Sequence, residues 1–484
     1  MREGLYGGCN VSDAPPSFIP QIDRVQGSRP GGVEGQRPPW GLGQRPSADA
    51  CTGRSSLGFE PFHRCGMRYD GGMSQIEDMQ AQETSGWRRT LWVMVGIQVL
   101  MTGSFSFLSP IVPLMLPSLG VTTVEGIDIW SGLITGSTSF VAAFASPVWG
   151  RIADKHGRKL SLLRSSLAIT TFTIVMAMST NVWQFFGARA LMGMFAGFST
   201  SAIALVASQV PERRLGYALG WLSSGQMVGS LVGPVLGGIL ADITGSYRIP
   251  FFITSALTGG GVVLVWFAVK ENFVPPKEGA KSRSMLSGLR LLIGSASLMA
   301  LFFVLLMAQF SVRTVQPVVT IFVQELIGSP PQIATLAGVA FSITGLANLM
   351  ASPFLGNRSD IIGYRRVLLI CLLGAVLTSL PQIFVDNYWV FVAERFAVGL
   401  FIGGILPTAN ALIGRGVARE NRGTIYGMTA SASFLGNSMG PLMGGLIAAG
   451  LGIRYVFVLS TVLLAANLIW VWLKVPEFKE PSTG

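Results

Sequence analysis

The sequence predicts an all-α integral membrane protein with twelve transmembrane helices, arranged as two six-helix halves related by pseudo-symmetry. Three observations carry that prediction. Half of the 484 residues are hydrophobic and only 12% are charged, whereas an ordinary soluble domain carries about 25% charged residues. The apolar residues fall in blocks of about twenty, long enough to cross a hydrocarbon core ~30 Å thick at ~1.5 Å per helical residue. The second set of blocks also repeats the first at a nearly constant offset. The 60 glycines suit helices that pack backbone to backbone in lipid.

The spans are expected at 91–116, 129–149, 160–179, 183–206, 216–241, 249–269, 296–322, 333–355, 367–385, 389–412, 424–449 and 454–473. The polar, basic stretch 270–290 with Pro275-Pro276 reads as a cytoplasmic linker between a first half, 73–269, and a second half, 291–473. Residues 474–484 follow as a cytoplasmic tail. Residues 1–72 hold 14 Gly and 8 Pro, a disordered composition. Their eight basic residues are all Arg, and the first Lys of the chain is Lys155. An Arg-Gly-Pro mixture without Lys is what GC-rich non-coding DNA gives when translated. The native start is therefore expected at Met73, a genuine cytoplasmic tail being the alternative, and no function is assigned to this leader.

The repeat is the strongest signal. At an offset of 206, Gly132 meets Gly338, Pro147 meets Pro353, Gly150 meets Gly356, Asp154 meets Asp360 and Gly157 meets Gly363. The same offset pairs Trp183 with Trp389, Arg189 with Arg395, Gly193 with Gly399 and Gly197 with Gly403. After one inserted residue, GSLVGPVLGG (229–238) meets GNSMGPLMGG (436–445). Two parallel repeats of six spans with a path between them is the architecture of secondary transporters.

The net charge of +11 invites a nucleic-acid reading, and its distribution rejects it. Of 35 Lys and Arg, 27 follow residue 87; counting alternate loops puts 22 of these on one side. Only Arg248 and Arg454 fall on the other side, while Arg189, Arg313 and Arg395 fall within spans. That asymmetry is the positive-inside rule, and it places both termini in the cytoplasm. Cys9, Cys51 and Cys65 lie in the leader and Cys371 in a span; with two histidines, His63 and His156, no metal site, cofactor or disulfide framework is expected. The chain has no Walker loop, HExxH or Ser-His-Asp set, so an enzyme is not expected, and an ion gradient is the expected energy source.

The loop Gly150-Arg151-Ile152-Ala153-Asp154-Lys155-His156-Gly157-Arg158-Lys159 joins spans two and three. Gly150 and Gly157 allow the tight backbone. Asp154 can accept from neighbouring arginines or from a helix N-terminus, where the dipole favours an anion. For the lysines a solvated basic loop that only fixes topology is the alternative. This loop resembles the G-x-L-A-D-x-x-G-R-K signature of the major facilitator superfamily, in which it acts as a conformational latch. The resemblance implies the same role for Gly150, Asp154, Gly157, Arg158 and Lys159, and for Gly356, Asp360 and Gly363 in the second copy. There Tyr364 stands in the place of Arg158, which implies a weaker latch.

The fifth span carries Gly225, Gly229, Gly233-Pro234 and Gly237-Gly238. Glycines four apart line one helix face and make a groove for a neighbour, and Pro234 removes one backbone hydrogen bond. The pattern resembles the G-x-x-x-G-P-x-x-G-G motif of the drug and proton antiporter branch of the superfamily, and the chain as a whole resembles bacterial multidrug-resistance exporters. Gly436, Gly440-Pro441 and Gly444-Gly445 repeat it in span eleven.

Arg189 with Gly193 resembles the family's Arg-x-x-x-Gly motif, whose arginine is associated with proton coupling; snorkelling to the outer interface is the alternative. Arg395 repeats the position beside Glu394, and Arg313 lies between Gln309 and Gln316. In this family spans one, four, seven and ten line the central cavity, which implies three arginines in its outer half and a preference for anionic or zwitterionic amphiphiles. Phe105 and Phe107 of the Pro-rich first span offer an apolar wall, lipid-facing side chains being the alternative for either alone. No carboxylate lies between Glu83 and Glu125, so the proton carrier stays unassigned among Glu394 and the span-end residues Asp128, Asp242, Glu325 and Asp386. The reading is a monomeric, multi-pass exporter of the bacterial cytoplasmic membrane, taking a small-molecule substrate and protons. A dedicated nutrient or metabolite transporter on the same scaffold is the alternative.

Overall fold

A computed structural model describes residues 72–211, 214–269, 271, 293–416 and 422–475. The expected leader, save Gly72, the linker 270–290 save Glu271, and the tail from residue 476 lie outside the described residues. The described chain is helical. Twelve of its segments are long and apolar enough to cross a membrane. They are α1 (Gly72–Phe107), α2 (Val124–His156), α3 (Arg158–Met178), α4 (Val182–Gln209), α5 (Leu215–Thr244) and α6 (Ile249–Ala268). The second set is α7 (Ala296–Ile327), α8 (Ile333–Ile362), α9 (Tyr364–Ser379), α10 (Tyr388–Gly416), α11 (Arg422–Leu451) and α12 (Ile453–Lys474).

Helix boundaries follow local chemistry. Pro110, which lacks an N–H, interrupts the first span as its prolines foretell: α1 stops at Phe107 and the chain resumes as the short helix Ile111–Met115. Thr123 caps α2 by accepting from Gly126 N, and Asn181 caps α4 by accepting from Gln184 N. Gly157 and Gly363, both at φ 97°, turn the chain between α2 and α3 and between α8 and α9. Few side chains tolerate that backbone. We call the end of the bundle with these two turns the basic end, and the opposite end the far end.

The fourth span departs from the single helix expected. Its helix breaks after Met194 and resumes at Phe198, with Gly197 at φ 127°. The break is held from outside. Arg164 of α3 donates weakly to the carbonyls of Phe195 (3.5 Å) and Ala196 (3.4 Å), and Trp149 Nε1 of α2 donates to Met194 O at 2.7 Å. The Arg164 guanidinium lies 3.6 Å from the Trp149 ring centre. In the second half α10 runs unbroken through Gly403. The charge count placed Arg164 with the loop cations, whereas it lies within a span.

Buried side chains form two clusters per half, one towards each end. The far-end clusters interlock: Ala334 of α8 is buried among residues of the first half, and Leu114 packs against the far-end cluster of the second. Outward faces stay apolar, as at Trp183, Phe267 and Leu473, which are 69%, 76% and 61% exposed. Lipid is the solvent these faces fit.

The repeat recurs contact for contact. An added Cβ at Gly193 would strike the backbone of Thr138, and at Gly399 that of Thr344, the repeat mates of each other. Gly225, Gly229, Gly233 and Gly237 of α5 lie against the backbone or side chains of Val95, Val99, Gly103 and Phe107 of α1. Gly436, Gly440 and Gly444 of α11 lie in the same way on Leu306, Phe310 and Thr314 of α7. Between the halves, Gly132 of α2 abuts Pro441 and Gly445 of α11, and Gly338 and Ala334 of α8 abut Pro234 and Gly238 of α5. These two seams sit towards the far end. At the basic end a Cβ at Gly150 or Gly356 would meet nothing within 4 Å, and Phe144, Val148, Met350 and Phe354 are at least half exposed. The halves are closed at the far end and parted at the basic end.

Replacing Gly132 by Leu should hold the α2–α11 seam open. A cysteine introduced at Ser438, 1% exposed here, should then react with a membrane-impermeant thiol reagent from the far side. Unchanged protection would contradict the seam assignment.

Candidate substrate path and its gates

At the centre of the far-end half lies a cavity of about 110 Å³ lined by Phe105, Ser109, Thr135, Thr138, Ser139, Arg189, Arg313, Gln316 and Asn437, among others. That is well short of the ~300 Å³ or more of a drug-sized site. Two arginines and no carboxylate line the cavity. Arg189 of α4 is 6% exposed, with its guanidinium 4.7 Å from the Phe105 ring centre. Arg313 of α7 donates from Nε to Asn437 Oδ1 at 3.0 Å and from Nη1 to Gln316 Oε1 at 2.9 Å. Each cation is thus held by neutral groups, and its charge is left uncompensated towards the cavity.

The other cavity residues expected from sequence separate from this pair. Arg395 lines a different, smaller cavity inside the second half, with Thr344, Gln382 and Phe457. Its neighbour Glu394 has Oε2 buried without a hydrogen bond. Phe107 is 6% exposed in the far-end core and backs Gly237, so only Phe105 serves as the expected wall. The Cβ of Gln309 lies against Gly436 in the α7–α11 contact. The structure brings together Arg189, Arg313, Gln316 and Phe105, and sets apart Arg395, Glu394, Phe107 and Gln309.

At the basic end, Asp154 lies in the last turns of α2, with its side chain outside the described set. Of the groups expected to latch, Arg158 and Lys159 are engaged within the first half. Glu271, just beyond α6, accepts from the backbone N–H of Arg158 (2.8 Å) and Lys159 (2.7 Å), so its carboxylate caps α3. Arg158 Nη1 donates to Ala204 O at 2.6 Å, and Lys159 Nζ to Trp266 O at 2.8 Å. The second copy repeats the last bond, with Arg365 Nη2 donating to Trp472 O at 2.7 Å. There Asp360 accepts from the hydroxyl of Tyr364, the residue in the place of Arg158.

At the far end, Asp242 of α5 reaches across to the start of α8. It accepts from Ala334 N (3.3 Å), Thr335 N (2.7 Å) and Thr335 Oγ1 (2.5 Å), capping the opposite half's helix. Burial and the Asp242 carboxylate push the neighbouring Tyr247 phenol above its ordinary value, so it stays neutral at physiological pH. Sequence reasoning named Asp242 only as a span-end carboxylate, and missed Glu271 and Arg164. The signal for Glu271 was present: Trp266, Val269 and Glu271 repeat as Trp472, Val475 and Glu477 at the offset of 206.

The sequence profile of the Major Facilitator Superfamily matches residues 94–334 and 301–484. The chain belongs to the major facilitator superfamily. It is 37% identical over 389 residues to "Multidrug resistance protein MdtG" of Salmonella typhi, covering 80% of this chain and 95% of the relative. The MdtG of Salmonella paratyphi B matches to the same extent. Among solved structures, the nucleoside transporter NupG superposes with a TM-score of 0.66 at 14% identity over 81% of this chain and all of that one. A bacterial homologue of the human lysosomal transporter Spinster, in an inward-facing and occupied conformation, gives 0.65 at 14% identity over 81% and 98%. The human organic anion transporter MFSD10 gives 0.61 at 17% identity over 80% and 99%. These likenesses establish the fold of a multi-pass transporter.

Two substitutions test the gates. Glu271→Gln should remove ~1–2 kcal/mol of capping and lower the Tm of the detergent-solubilised protein by a few degrees. Asp242→Ala should shift the protein towards far-end opening, seen as a longer spin-label distance between α5 and α8 at that end. An unchanged distance distribution would remove Asp242 from the gate.

Proposed function

We propose that this chain is a secondary active transporter that exports drugs or amphipathic small molecules across the bacterial cytoplasmic membrane by proton antiport. The observation that carries the reading is the glycine-built pair of far-end seams between two repeats, closed over a contracted cavity while the basic end is parted. Such a bundle works by rocking of its halves about a central site. The likeness to MdtG over nearly the whole relative supports drugs as the cargo. The excess of basic residues at the basic end supports its placement in the cytoplasm, with both termini on that side. On that orientation the conformation described here is inward-facing.

Substrate enters between the parted ends, and Arg189 and Arg313 supply two fixed positive charges where it comes to rest. Their field, undiluted by any lining carboxylate, favours an anionic or zwitterionic amphiphile over a simple cation, and Phe105 contributes an apolar surface. Closure of the basic end then requires groups now engaged at α3 to meet the opposite half. Asp154, Gly150 and Gly157, with Asp360, Gly356 and Gly363, are placed to make that second seal. A monomer holds every group the cycle uses. A dedicated metabolite transporter on this scaffold is the second reading, and the same assay separates the two.

A panel of drugs, charged and neutral, is accumulated by a pump-deficient bacterium expressing the chain, with and without a protonophore. Lower accumulation of several unrelated compounds, lost with the protonophore and with Asp154→Asn at matched membrane levels, is expected. Equal accumulation across the panel would favour a dedicated metabolite carrier. Arg313→Gln should weaken export of anionic members more than of neutral ones.

A further inference from the structure

The two far-end seams are copies of each other in backbone and differ in where each carries a carboxyl group: Asp242 caps α8 from α5, while its repeat mate on α11 is Ala449. In the α5–α8 seam, Gly238 abuts the carbonyl of Ala334, whose methyl is fully buried. In the α2–α11 seam, Gly445 abuts the carbonyl of Asp128. Asp128 stands at the repeat position of Ala334, so a carboxyl group occupies the place of a methyl. It is 2% exposed, and its Oδ1 is buried without a hydrogen bond. A carboxylate in that setting is costly, because no donor reaches Oδ1 and the group is almost wholly withdrawn from the surface.

The difference continues along the helix. Asp128, Ser131, Thr135 and Ser139 follow at i, i+3, i+7 and i+11, so they lie in one file along a face of α2. Their repeat mates on α8 are Ala334, Ala337, Phe341 and Gly345, none of which carries a polar side chain. The Ser131 hydroxyl is buried without a hydrogen bond, as is that of Ser438 on the facing helix α11. Thr135 and Ser139 line the central cavity. The file therefore starts at a buried carboxyl in the outer seam and ends in the cavity, ~16 Å away at ~1.5 Å per residue.

We infer that Asp128 is a proton-binding site of the transport cycle, loaded from the outer side when the α2–α11 seam opens and connected to the central cavity by the hydroxyl file on α2. The inference rests on the proton-antiport reading for its role in transport; the proton site itself does not. The charged groups that act on Asp128 are the carboxylates of Glu125, on its own helix, and Glu325, on the Val319–Ile327 segment of α7. Both are exposed at the far end, on the side that the α2–α11 seam faces. Facing α11 carries no charged side chain between Thr429 and Leu451, and α4 contributes Arg189 at the cavity end of the file. With the seam open, the Asp128 carboxylate meets outside water and takes one proton; the neutral carboxyl can then be buried as the seam closes. On discharge the carboxyl O–H bond breaks, Ser131 accepts that proton and passes on its own, and Thr135 and Ser139 do the same until one proton enters the cavity. The buried carboxylate left behind opposes closure of the seam, and so couples loss of the proton to reopening.

The test uses the purified full chain in liposomes. Infrared difference spectra across a pH titration report protonated carboxyl groups by their C=O stretching band, with no substrate present. At neutral pH the wild type should show a buried-carboxyl band that is absent in Asp128→Asn and retained in Asp242→Asn. The second measurement is export of sulforhodamine B, a fluorescent amphipathic anion, driven by a pH gradient. Asp128→Asn should lose gradient-driven export while keeping sulforhodamine B binding and downhill exchange. Asp128→Glu should restore part of the export, and Ser131→Val should slow it with the band intact. A wild type without the band, or an Asp128→Asn protein that keeps it, overturns the site. Full gradient-driven export by Asp128→Asn overturns its role in the cycle. A wild type with the band but no sulforhodamine B export would count against the antiport reading while leaving the proton site standing.

Discussion

Everything in this bundle depends on how closely two helix backbones can approach in a medium that offers no hydrophobic gain for doing so. Lipid tails are as apolar as leucine, so helices associate through dispersion contacts and backbone proximity. Glycine supplies both. At Gly229 a Cβ would fall 2.5 Å from Val99 O, and the same holds at Gly233 against Gly103 O. The same device fastens α11 to α7 and joins the halves at two seams. Contacts of this kind are made over the whole length of an interface or lost together. A seam built from them suits opening and closing as a unit better than gradual deformation.

Charge is managed by a complementary rule. Inside the helices, cations are fixed by neutral acceptors: Arg313 by Asn437 and Gln316, and Arg164 by the carbonyls where α4 breaks. At the ends, carboxylates sit on helix N-termini, Glu271 on α3 and Asp242 on α8. These two caps differ in consequence. Glu271 ties helices of one half and travels with it through the cycle. Asp242 ties the halves to each other, so its bonds must break whenever the far end opens.

Much of this was legible in the sequence. Hydropathy blocks gave twelve spans because a spanning helix must be apolar along its length. The glycine spacing in span five foretold a close contact with some neighbouring helix, because residues four apart share a helix face, and the structure supplies α1 as that neighbour. The site was legible in part. Arg189, Arg313, Gln316 and Phe105 meet as the assignment of lining spans implied, while Arg395 turns into its own half and Phe107 into the core. A span's identity says which helix lines the cavity; which face does so depends on rotation about the helix axis, and near-uniform apolar helices conceal that. Glu271 and Asp242 were hidden for a different reason. A cap is a contact between distant segments: Glu271 is marked only by its recurrence as Glu477 in the repeat, and Asp242 only by its place at a span end.

The broken fourth helix changes how the two halves behave as mechanical bodies. In the second half α10 is continuous helix from Tyr388 to Gly416, with Pro407 in its interior. In the first half the corresponding element is two short rods meeting at Gly197, with the Arg164–Trp149 stack wedged against the joint. A pseudo-symmetric machine in which one lever is broken at a glycine joint and the other is continuous helix cannot move symmetrically. Its stroke must include a bending of the first half at the joint, and the side chains that set the joint's stiffness belong to α2 and α3, the helices that flank the basic-end loop.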